Sequence, residues 1–160
     1  RPKLSQRKEV KIMSKYFTME EMTHSNTAVR LGKPNKPNKT EQEDLERLME
    51  YLDKVREKFG KPIIVTSGYR SGGKGGVNEA VGGKDDSQHT KGQAADLVAE
   101  NTIELKRLFG IIRQHGGFDQ LILECPPGRR WWIHVSINPR ERKPRGQVLE
   151  YNGHGYVKMK

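Results

Sequence analysis

Ser87-Gln88-His89-Thr90-Lys91-Gly92-Gln93-Ala94-Ala95-Asp96 is the stretch on which the reading of the chain turns. It holds an imidazole and a carboxylate, separated by a glycine and two alanines. Upstream lies Gly82-Gly83-Lys84-Asp85-Asp86, which is turn chemistry. Downstream lies Leu97-Val98-Ala99, an apolar run of the buried-strand kind. His89 is therefore expected on a loop and Asp96 on or beside a strand. Gly92 supplies the backbone freedom to fold back between them. A loop histidine and a strand carboxylate so arranged converge on one point, which suits a divalent metal. Zinc takes neutral imidazole nitrogen and carboxylate oxygen, and a catalytic site uses three protein ligands and a water. The third ligand is sought in Trp131-Trp132-Ile133-His134-Val135-Ser136, where an imidazole without a partner in an apolar strand would be costly. That makes His134 the candidate. The competing reading is a His–Asp hydrogen bond in a polar loop, with His134 a satisfied core histidine. Residue types alone leave both open.

The full pattern is narrower than its parts. S-x-H-x-x-G-x-A-x-D followed by W-x-H, with Ser67-Gly68-Tyr69-Arg70-Ser71 and Phe118-Asp119-Gln120-Leu121-Ile122, resembles the zinc D-Ala-D-Ala carboxypeptidase family. Those enzymes share a fold with the hedgehog signalling domain. The likeness runs from about residue 17 to about residue 142. It implies one zinc per chain, held by His89, Asp96 and His134, with water in the fourth position. It also implies a general base. In the best-known members that glutamate lies three residues before the last histidine, where this chain has Trp131. Members resembling this chain place a glutamate after F-D-Q-L-I, and Glu124 stands there. Asp119 is the reserve candidate. Arg70 matches the arginine that closes the S-x-Y-R motif and is expected to stabilise the substrate carbonyl as negative charge develops. Its alternative role is a structural ion pair with Asp85 or Asp86. Ser87 matches a position near the substrate. Alternation along the strand puts Trp132 on the face of His134 and so nearer the cleft.

A chain of 160 residues, 32% hydrophobic and 31% charged, fits one domain with a compact core and a very polar surface. No run approaches transmembrane length. No basic start precedes an apolar stretch and a small-residue cleavage site, so no signal peptide is expected. Synthesis in the cytoplasm and action on the cell wall fit this. Cys125 is the only cysteine, which excludes an internal disulfide. It precedes Pro126-Pro127-Gly128 and has no base nearby in sequence, so it is read as incidental. The formal net charge of +10 implies an anionic partner such as nucleic acid, an acidic membrane surface or the bacterial cell wall. Residues 1–12 are basic and aperiodic and read as a flexible arm before a domain of residues 13–160.

Along the chain, Thr18 caps a helix start, with Glu21 and the Phe17–Met22 pair in support. Residues 32–39 form a loop. Thr40, with Glu43, caps a long helix whose stripe is Leu45, Leu48, Met49, Leu52, Val55 and Phe59, and Gly60 ends it. Residues 63–66 read as a short buried strand, and residues 72–76 as a mobile loop at the rim of the site. Asn101 caps a second helix. Two strands, 118–124 and 131–137, form a hairpin, and Asn152-Gly153 marks another. His115 and His154 receive no metal role.

These elements compose an α+β single domain, with a small mostly antiparallel sheet, helices packed on one face and zinc at the open side. The resemblance implies a zinc metallopeptidase that hydrolyses amide bonds in peptidoglycan stem peptides, and a monomer is expected. The cut is either of the D-Ala-D-Ala carboxypeptidase type or of the L-Ala-D-Glu endopeptidase type found in phage lysins. A second reading, motivated by Trp131, is a non-catalytic zinc-containing cell-wall-binding module. A nucleic-acid binder rests on charge alone, without a recognised motif, so no nucleic-acid partner is expected.

Overall fold

The computed structural model describes residues 13–160; the basic arm expected at residues 1–12 lies outside them. Two short helices, α1 (Met19–Thr23) and α2 (Asn26–Leu31), precede the long α3 (Lys39–Phe59). There follow β1 (Ile64–Ser67), α4 (Val77–Ala80), a 3-10 turn (Gln88–Lys91), β2 (Ala94–Val98) and α5 (Thr102–His115). The chain closes with β3 (Gln120–Glu124), β4 (Trp132–Ser136), β5 (Gln147–Tyr151) and β6 (Tyr156–Lys158). One six-stranded sheet runs in the order β1-β2-β4-β3-β5-β6. Only β3 and β5 pair in parallel. The architecture is the expected α+β domain.

Alternation divides the sheet into two faces. Ala95 and Leu97 of β2, Leu121 and Leu123 of β3, and Ile133 and Val135 of β4 join one core. The α3 stripe and Leu105, Leu108 and Ile112 of α5 pack into the same core. Full burial of each large aliphatic side chain contributes about 1.5–3 kcal/mol, so this face anchors the helices. The intervening residues Asp96, Ile122, Glu124, Trp132 and His134 face the other way. The sheet is thus core on one side and site on the other.

Some local expectations shift. Asn38, not Thr40, caps α3: it accepts from Glu41 N at 2.8 Å, and the Glu41 carboxylate accepts from Asn38 N at 2.9 Å. Asparagine caps at least as well as threonine, and the same box spacing serves two residues earlier. The short helices α2 and α4 were not expected. Ser25 caps α2 at Ala28 N, and Gly32 ends it at φ 62°. β1 is an edge strand paired only with β2, with Ile64 52% exposed, rather than a buried one. At the loop of residues 72–76, Lys33 Nζ donates to Gly75 O at 2.6 Å, and just before it Ser71 Oγ donates to Pro34 O at 3.2 Å.

To pair β5 in parallel with β3, the chain after β4 must cross back over the sheet end. Asp119 holds that crossing. Its fully buried carboxylate accepts from the guanidinium groups of Arg142 and Arg145 and from Arg145 N. Burial pushes the carboxyl up, but the two arginines outweigh it and hold it well below the ordinary range. A carboxylate so saturated is no reserve base. Because the folded-state value is depressed, its stabilisation is present above the unfolded value of about 3.9 and is lost as pH falls through the folded one. Asp119→Asn is expected to lower unfolding free energy by about 2 kcal/mol, less than for a fully buried pair because both arginines stay half-exposed. Urea denaturation at neutral pH checks it. The variant's deficit should shrink below about pH 4, and a constant deficit would contradict the assignment.

Candidate metal centre

Antiparallel pairing of β2 with β4 sets Asp96 directly opposite His134. Their side chains leave the same face, and His134 Nδ1 stands 3.3 Å from Asp96 Oδ1. The 3-10 turn delivers His89 from the loop, with Nε2 3.3 Å from that same oxygen. The two imidazole rings lie 5.1 Å apart at 63°. One donor atom from each of the three residues falls within 4.8 Å of the others.

The orientation of His89 has a local cause. Its Nδ1 lies 2.7 Å from the carbonyl oxygen of Gly68. A carbonyl only accepts, so Nδ1 carries the proton and Nε2 presents a lone pair to the centre. That Nε2 is buried and has no hydrogen-bond partner. A buried acceptor left without a partner is destabilising, and a cation relieves it. Two imidazoles and one carboxylate are a donor set of the catalytic-zinc type. Asp96 fits as well: its Oδ1 stands 3.3 Å from both His89 Nε2 and His134 Nδ1, so the three donor atoms converge on one point.

Two glycines make the approach possible. A Cβ on Gly68 would meet Met22 O at 2.2 Å, and that same oxygen accepts from Tyr69 N at 2.8 Å. Gly92 has φ +72°, and its Cβ would meet Glu41 O of α3 at 2.4 Å. The glycine expected for its turn is thus also required by packing. Ser87 caps the turn, accepting from His89 N through Oγ at 3.3 Å.

Around this centre, Glu124 lies opposite Trp132 on the β3–β4 ladder, and both share the face of His134. Glu124 is 8% exposed. Burial raises its pKa; His134 opposes this and Asp96 adds to it. Arg70 donates its backbone N–H to His89 O at 3.0 Å. Its buried Nε has no hydrogen-bond partner, and it makes no salt bridge among the described residues, so the alternative ion pair with Asp85 or Asp86 is not formed. Burial lowers its pKa and Asp96 raises it. Trp131 packs against the core under Lys106, on the other side from Trp132. Burial pushes the Cys125 thiol up to about 11, which suits no nucleophile. His115 sits by Lys58 and Tyr51, and His154 is exposed in its turn. Sequence reasoning missed the Gly68 carbonyl and the tyrosines of the last hairpin. Backbone acceptors leave no residue signature, and the β3–β5 pairing is non-local.

His134→Ala removes one of three donors, so zinc measured by mass spectrometry should fall from one per chain to a small fraction. Gly68→Ala should weaken zinc binding by about 10- to 100-fold, the usual effect of disturbing a ligand's outer hydrogen bond. Unchanged zinc content in His134→Ala would contradict the centre.

The family model for Peptidase M15 matches residues 15–136, which spans every residue of the centre and most of the chain. Among curated proteins none matches. The match agrees with the donor set, and the chain belongs to the Peptidase M15 family of zinc-dependent peptidases.

Proposed function

We propose that this peptidase hydrolyses amide bonds in peptidoglycan stem peptides, at a D-Ala-D-Ala or L-Ala-D-Glu type of bond. The observation that carries the reading is the orphaned, buried Nε2 of His89 beside Asp96 and His134, with a carboxyl of raised pKa on the same face. Zinc, when bound, lowers the pKa of water to about 7 and polarises a carbonyl. Glu124 is the general base in this reading: it takes a proton from water and gives it to the leaving amine. A raised pKa suits it to both steps. Arg70 has N–H donors free to bind the substrate carbonyl as its charge grows. The Ser87 hydroxyl and the Trp132 ring position the peptide. The net charge of +10 draws the protein to an anionic wall.

The binding-module reading rests on Trp131, whose side chain packs away from the centre, whereas Glu124 offers a base from the neighbouring strand. Glu124→Gln should retain zinc and its melting temperature, yet lose at least about 100-fold in turnover. On purified sacculi the wild type should release new amino groups without new reducing ends, because the bond cut is an amide. Reducing ends as the main product would refute the reading, as would binding of zinc and sacculi without turnover.

A further inference from the structure

The hairpin of β5 and β6 lies beyond the stretch matched by the family model, yet it extends the metal-bearing face of the sheet. Its register is specific. Glu124 of β3 pairs with Tyr151 of β5, and Tyr151 pairs with Tyr156 of β6. On the other side Glu124 pairs with Trp132. Trp132, Glu124, Tyr151 and Tyr156 therefore form one rung across four strands, all on the side of His134. The two tyrosine rings lie 5.0 Å apart at 43°. Tyr156 is 57% exposed, so one face of the pair is open. Neither tyrosine hydroxyl has a hydrogen-bond partner among the described residues.

We propose that Tyr151 and Tyr156 form a subsite for an ammonium-bearing side chain of the substrate, such as that of a diamino acid in the stem peptide. This rests on the peptidase reading above. An aromatic face carries negative potential and attracts a cation held over it. The open ring face points to that ligand charge. β6 stands three strand spacings from β4, about 14 Å. An extended chain covers that distance in about four residues, so one peptide reaches both the centre and the rung. A cross-strand tyrosine pair also stabilises a hairpin by itself, and the test must separate the two roles.

The test uses two soluble stem peptides that differ only in one side-chain amine, free or acetylated. The wild-type zinc enzyme should prefer the free amine by about fivefold to tenfold in kcat/KM. Tyr156→Ala should bring that ratio close to one through KM, while Tyr156→Phe, which keeps the ring face, should retain it. Equal rates for the two peptides in the wild type would overturn the subsite. So would a Tyr156→Ala variant that melts earlier but keeps the preference, or a preference that follows an attached sugar instead of the amine. If the wild type cleaves neither peptide, the peptidase reading fails. The calorimetric Kd of each peptide for the wild type then tests the subsite separately: weaker binding of the acetylated peptide supports it, and equal binding overturns it.

Discussion

The hydrogen bond from His89 Nδ1 to the carbonyl of Gly68 is the contact on which the site depends. It fixes which nitrogen carries the proton and so leaves Nε2 facing Asp96 with a lone pair. Around it the chain is tightly constrained. Gly68 leaves no room for a side chain against Met22, and the backbones of Arg70 and His89 are joined directly. Asn35 reaches across from the preceding loop: it donates to Thr23 O and Tyr69 O and accepts from Ser71 N, holding the chain on both sides of Arg70. The strand end, the histidine turn and the first helices are thereby one unit.

The two faces of the sheet divide the work. One is apolar and binds α3 and α5, which supplies the stability. The other collects polar groups that the core would not tolerate, with Asp96 set between the two imidazoles. Pairing β5 in parallel with β3 widens that second face. The crossing it needs is held by a buried carboxylate and two arginines. Asp119 thus helps to fix where the last hairpin lies.

Much of this was legible in the sequence, for identifiable reasons. His89, Asp96 and His134 suit zinc by residue type, but it was the resemblance to the zinc D-Ala-D-Ala carboxypeptidase family that singled them out over a simple His–Asp hydrogen bond. The α3 stripe and the Asn152-Gly153 turn follow local rules. Local rules also produced the errors. Asn38 and Thr40 both begin capping patterns, and only the surrounding packing selects between them. The strand at Ile64–Ser67 is apolar enough to look buried, but its place at the sheet edge is a property of the topology. Nothing near Tyr151 or Tyr156 in sequence announces that they share a rung with Glu124, since that requires the non-local parallel pairing.

The central claim is that two imidazoles and one carboxylate of this chain hold zinc at the open face of the sheet. X-ray absorption at the zinc edge of the loaded protein tests it most directly. The account predicts two histidine nitrogens at about 2.0–2.1 Å, completed by oxygen at about 2.0–2.2 Å, with no sulfur. A zinc–sulfur distance, which only Cys125 and the methionines could supply, or a shell without imidazole, would contradict it.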